Sequence, residues 1–153
     1  MESHLAAIAL GSNVGDRRAN LNDALRRLGA VLTAVKVSSF VDTEPVGVGP
    51  QPRFLNAALV GETVVPPREL LAWLLRIEME CGRIRTHPGA PRTLDLDLIL
   101  YGDVVMDEPG LVIPHPRFRN REFVLGPLAE VAPEIVDPVT RLTARQLLAA
   151  VRV

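Results

Sequence analysis

The run Pro91-Arg92-Thr93-Leu94-Asp95-Leu96-Asp97-Leu98-Ile99-Leu100 sets two carboxylates inside an apolar, strand-like stretch, where burial favours none. Side chains alternate between the faces of a strand, so Asp95 and Asp97 point one way and Leu94, Leu96 and Leu98 the other. Their Cα atoms then lie about 6.6 Å apart. Carboxylates can close that gap onto magnesium ions spaced roughly 3.5–4 Å from one another, as in two-metal phosphoryl transfer. Arg92 precedes the pair and suits a phosphate. On this decapeptide alone, an outer strand turning a polar face to water fits the same pattern.

Of the 17 basic residues only Lys36 is lysine, which leaves neither a Walker A lysine nor a kinase strand lysine in its usual motif. Any nucleotide must be gripped by arginine, and Arg83, Arg85, Arg92, Arg117, Arg119 and Arg121 bracket the two aspartates. Phe54 and Asn56 fall on one face of another strand-like run, a ring and an amide suited to a flat heterocycle. A core phenylalanine beside a surface asparagine reads the same way. Phe123 offers a second ring or another core residue. Prolines flank His115 and hold it outside regular structure, which suits a positioned donor or simply a polar turn. Glu78 and Glu80 oppose the dipole of a helix end and read as a solvated face. The loop Gly11-Ser12-Asn13-Val14-Gly15 is a weak phosphate cradle, being neither GxGxxG nor Walker A.

The elements that must hold these groups follow from periodicity. Leu5 to Leu10 reads as a buried strand, followed by a glycine-containing turn with Asp16 as helix cap. Leu21, Ala24, Leu25 and Leu28 form a helical stripe that Gly29 ends. Val31 to Val41 reads as a strand, Asp42 to Pro52 as a long loop, and Phe54 to Thr63 as a strand. Pro66-Pro67 opens a helix whose stripe is Leu70, Leu74, Ile77 and Cys81, ended by Gly82. Arg83 to Ala90 is a loop, and the aspartate strand follows. The order strand, helix, strand, strand, helix, strand predicts an α+β, ferredoxin-like split βαβ sandwich with an antiparallel sheet. A hairpin is expected near residues 102–112, a helical piece from Glu122 interrupted at Gly126-Pro127, and a last helix capped by Thr143 and ending near Val151.

With 153 residues the chain is expected to form one domain, residues 1–153. Apolar stretches are strand-length and broken by Gly, Pro or charge, so no membrane span is expected. The N-terminus lacks the basic residues and long apolar core of a secretory leader, and a cytoplasmic location is expected. One cysteine, Cys81, excludes an internal disulfide and a multi-cysteine metal site. A net charge of -1 argues against nonspecific nucleic-acid binding.

Five segments taken in order resemble the hydroxymethyl-dihydropterin pyrophosphokinase family of folate synthesis: residues 9–16, 54–58, 82–85, 91–97 and 114–121. The resemblance spans about Ala7 to Pro138. It implies transfer of the β,γ-pyrophosphoryl unit of ATP to the hydroxymethyl oxygen of a reduced pterin, releasing AMP. It assigns catalysis to Arg83, Arg92, Asp95 and Asp97, the two aspartates holding two Mg2+ ions. It assigns the nucleotide to Glu78, Arg83, Arg92, Leu98, His115 and Arg121. It assigns the pterin to Thr43, Glu44, Pro45, Val46, Phe54, Asn56 and Phe123. Small-molecule substrates, a monomer, and no nucleic-acid or membrane partner are expected. Two rivals share parts of the pattern. A metal-dependent phosphate-ester hydrolase uses such an aspartate pair. An RNA-binding module shares the topology but needs aromatics on central strands, of which only Phe54 is present.

Overall fold

Apolar segments of period two pair as antiparallel strands in the computed structural model, which describes residues 2–44, 53–82 and 93–152. Strand β1 (His4–Ser12) lies at the centre. β2 (Thr33–Val37), β4 (Phe54–Thr63) and β5 (Asp95–Tyr101) complete the order β2-β4-β1-β5, and β3 (Val41–Thr43) also pairs with β4. Every neighbouring pair is antiparallel, as the ferredoxin-like order requires. A hairpin of β6 (Met106–Glu108) and β7 (Leu111–Ile113) follows, close to its expected place.

Helices cover both faces of the sheet. On one, Leu21, Ala24 and Leu28 of α1 (Arg17–Leu28) and Leu70, Leu74 and Ile77 of α2 (Pro67–Glu80) pack on Ile8, Leu10, Leu59, Leu96 and Leu98. On the other, Val124, Leu125 and Leu128 of α3 (Glu122–Val131) and Leu147 of α4 (Ala144–Val151) pack on Ala7, Ala9, Ala58 and Val60. The caps are those the sequence signals: Asp16 Oδ1 accepts from Ala19 N–H at 3.0 Å, and Thr143 with Gln146 forms a capping box.

Three elements differ from the sequence expectation. The single strand over Val31 to Val41 is two strands, because Ser38 Oγ takes the Ala58 N–H at 2.9 Å and interrupts the backbone ladder. Asp42 and Thr43 consequently belong to β3 rather than to a loop, while residues 45–52 lie outside the described residues. Helix α3 runs through Gly126 and Pro127 without a break. Proline cannot donate the bond owed to Phe123, yet burial of Val124, Leu125 and Leu128 outweighs that loss. Lastly, β5 pairs Leu98 with Ile8 but Leu100 with Ala7, so Ile99 is a bulge. It falls beyond Asp97 and leaves the parity of the two aspartates intact.

Candidate active site

Where β1 ends and β4 and β5 begin, the register sets Asn56, Gly11 and Asp95 side by side, then Ala58, Ala9 and Asp97 in the next row but one. Residues paired across strands share a face, so Asn56, Asp95 and Asp97 stand on the α3/α4 side. The leucines that alternate with the aspartates, Leu94, Leu96 and Leu98, enter the opposite core. Strand spacing puts Asn56 and Asp95 roughly 10 Å apart with Gly11 between them. A Cβ on Gly11 would come within 3.1 Å of Asn56 Oδ1 and 3.4 Å of Phe54 Cδ1. Gly11 is therefore the floor that joins the amide to the carboxylates. Sequence reasoning missed this role; a glycine closing a buried strand was its only signal.

Thr43 pairs with Phe54 across β3 and β4, and Asn56, buried at 6% exposure, donates from Nδ2 to Thr43 Oγ1. Facing this wall, a cleft of about 570 Å³ opens between β3 and α3, lined by Thr43, Glu44, Arg121 and Phe123 among others. Its size suits a small ligand. The Arg121 guanidinium lies 5.6 Å from the Phe123 ring centroid, within cation–π range.

His115, just past β7, lies beside β5 and donates its N–H to the Ile99 carbonyl at 2.9 Å. Its Nδ1 accepts the Arg117 N–H at 3.2 Å, which assigns the proton of the neutral ring to Nε2. Burial lowers the His115 pKa, Arg121 and Arg117 lower it further, and Asp95 opposes them. Arg121, Arg117 and Asp95 are thus each within electrostatic reach of His115. Because the folded state favours the neutral ring, this stabilisation is present above pH 6.5 and lost as pH falls toward the lowered folded value. An NMR titration is expected to place the His115 midpoint below 6.5 in the unliganded protein and to raise it on addition of the nucleoside triphosphate that the resemblance implies. A midpoint that the triphosphate leaves unmoved would contradict His115 as a nucleotide contact.

Glu78 departs from its sequence reading as a solvated, dipole-opposed residue. It is 2% exposed, and its Oε2 accepts the Leu96 N–H at 2.6 Å. β5 is an outer strand, and Glu78 gives its edge an acceptor at the residue between the two aspartates. Glu80, by contrast, is exposed and pairs with Arg27 at 2.7 Å. Glu78→Ala is expected to cost about 2 kcal/mol by stranding a buried N–H and to lower turnover, with Glu78→Gln regaining most of the stability. Urea denaturation beside a turnover assay checks both.

Leu98 is placed with its side chain in the core on the α1/α2 side, away from the aspartates. Arg119 is committed elsewhere, donating to Asp137 at 2.5 and 3.0 Å. Arg83, Arg85, Arg92, Pro45 and Val46 lie outside the described residues. Cys81 donates to Asp23 at 3.3 Å, and burial first, then Asp23, raises its pKa to about 11, so it is no nucleophile at neutral pH.

Among the described residues no cluster of three or more His, Cys, Asp or Glu gathers for a metal. Two carboxylates on one face fit a different case, Mg2+ that keeps waters and shares itself with substrate phosphates. Among the described residues no helix is long and apolar enough to cross a membrane.

Comparison with known proteins shows the family of the chain. Residues 7–133 match the family model for 7,8-dihydro-6-hydroxymethylpterin-pyrophosphokinase. The chain belongs to that family. It is 42% identical over 149 residues to a Synechocystis 2-amino-4-hydroxy-6-hydroxymethyldihydropteridine pyrophosphokinase, covering 96% of this chain and 76% of that one. It is 43% identical to the Bacillus subtilis protein of the same name, covering 90% and 84%. A Plasmodium falciparum HPPK-DHPS crystal structure shares the fold with a TM-score of 0.79 at 17% identity, over 97% of this chain but 45% of that larger one. The chain is thus a pyrophosphokinase of folate biosynthesis, a transferase that uses ATP as co-substrate. The hydrolase and RNA-binding readings are not favoured.

Proposed function

We propose that pyrophosphoryl transfer takes place along the Asn56–Gly11–Asp95 row, with the pterin at the Asn56 end and the triphosphate at the Asp95 end. One observation carries the reading: a hydrogen-bonding amide and a carboxylate pair share one sheet face, with only a glycine floor between them.

Asn56 bonds the edge of the heterocycle while Phe54 and Phe123 cover its faces, and Thr43, Glu44, Pro45 and Val46 complete the wall. Asp95 and Asp97 hold two Mg2+ ions, which supply charge neutralisation and alignment of the triphosphate when bound. Arg83, Arg92 and Arg121 grip phosphate oxygens, their planar forks matching two oxygens at once. His115 donates from Nε2 to the same anion. Glu78 acts from below, through Leu96 N–H, to hold the aspartate strand in register. Leu98 packs beneath the nucleotide and serves it by holding the strand. The pterin hydroxymethyl oxygen attacks the β-phosphorus in line and AMP leaves. Positioning and electrostatics dominate such transfers, so the reaction needs no dedicated general base.

Incubation with ATP, Mg2+ and 6-hydroxymethyl-7,8-dihydropterin tests the reading. AMP that forms only when the pterin is present is the expected result. Pterin-independent phosphate release, or no turnover, would overturn it.

A further inference from the structure

We infer that the Arg17–Asp42–Arg53 network is a positioning device for the pterin wall, setting Thr43 and Phe54 at the distance the heterocycle requires. The inference rests on the assignment of Thr43, Phe54 and Asn56 to the pterin.

Apart from its ladder with β4, the wall is held by the Asn56–Thr43 bond and, just upstream, by Ser39 donating from N–H and Oγ to Glu130 at 2.8 and 2.7 Å. β3 is three residues long, Val41 and Asp42 are exposed, and its ladder partners are Asn56, Leu55 and Phe54. So short a strand with so little buried surface is weakly held by pairing alone. The network adds bonds from two directions. Arg17, at the first turn of α1, donates to Asp42 Oδ2 at 3.0 Å, to Asp42 Oδ1 at 3.3 Å and to the Arg53 carbonyl at 2.9 Å. Arg53 donates to Asp42 Oδ1 at 2.9 Å and to the Asp42 carbonyl at 3.3 Å, and it also pairs with Glu44.

Asp42 and Arg53 are the chain neighbours of Thr43 and Phe54, which face each other across the two strands. One helix N-terminus therefore pins both sides of the wall. Exposed ion pairs taken singly contribute little. Here two guanidiniums share one carboxylate and each also donates to a backbone carbonyl, so the geometry is fixed by several bonds together. The bonds from Arg17 and then Arg53 hold the Asp42 pKa at about 2, so the carboxylate stays ionised at neutral pH. None of the three side chains lies in the carboxylate row, so their influence falls on the pterin and not on the nucleotide.

Steady-state kinetics of the full chain separates this role from general support. Pterin is varied at saturating ATP, then ATP at saturating pterin, for the wild type, Arg17→Met, Arg17→Lys and Asp42→Asn. Arg17→Met and Asp42→Asn are expected to raise KM for the pterin about fivefold, leaving KM for ATP and kcat within about twofold. Arg17→Lys, with its charge but no fork, should fall between wild type and Arg17→Met. An unchanged pterin KM, or equal rises for both substrates, would overturn the inference. Asp42→Asn preserves volume and carries the test if Arg17→Met does not fold. Wild-type turnover that lacks pterin dependence would instead sink the underlying site assignment.

Discussion

Asp97→Ala is expected to lower pterin-dependent AMP formation by on the order of 10³-fold or more while the melting temperature moves only a few degrees. The carboxylate stands with Asp95 on the face opposite the leucine core, so its removal takes away the oxygens proposed to hold Mg2+ and no packed apolar volume. Alanine in a strand opposite Ala9 introduces no clash. Asp97→Asn is expected to behave similarly in activity, since it keeps the shape and loses the charge proposed to draw Mg2+. A coupled AMP assay beside circular-dichroism melting separates the two effects. Near-normal turnover in Asp97→Ala would refute the metal assignment.

Asp137→Ala is expected to have the largest effect on stability, about 3 kcal/mol, through loss of a buried ionic partner. The Asp137 side chain is fully buried and accepts two bonds from Arg119, one from Thr140 Oγ1 at 2.7 Å and one from Val139 N–H at 3.0 Å. Burial alone would raise its pKa, but the bonds from Arg119, Thr140 and Val139 prevail and leave it below its ordinary value. That contribution is present above the unfolded-state pKa and lost as pH falls through the lowered folded one, so the protein should weaken in acid. Arg119 sits in the short 3-10 turn Phe118–Asn120, between His115 and Arg121. Loosening it should also raise KM for ATP. Urea unfolding of Asp137→Ala and Asp137→Asn checks the prediction. A change under about 0.5 kcal/mol, the usual range for a surface substitution, would show that the pair supports nothing.

The fold and the aspartate face were readable because both rest on local rules. Period-two alternation alone puts Asp95 and Asp97 together, and helical stripes closed by Asp16, Pro67 and Thr143 give the element order. What escaped depends on partners distant in sequence. Glu78 and Glu80 look alike in a helix end, and only the approach of β5 separates the buried acceptor from the solvated ion. Arg119 and Arg121 are equally good phosphate candidates until Asp137 claims one of them. The Ser38 break between β2 and β3 depends on Ala58, on another strand. The continuity of α3 past Pro127 is decided by packing on the sheet, which local propensity cannot register. Gly11 acquires meaning only when β4 lays Asn56 and Phe54 beside it.

The central claim is that the Asp95–Asp97 face receives the triphosphate through divalent cations while Asn56, across Gly11, receives the pterin. A crystal structure of the chain with a nonhydrolysable ATP analogue, Mg2+ and the hydroxymethyl pterin tests this directly. The account predicts two metal peaks bridging both carboxylates to triphosphate oxygens, with the heterocycle bonded to Asn56 and its ring against Phe54. A triphosphate bound away from the two carboxylates, or bound with no cation between, would contradict it.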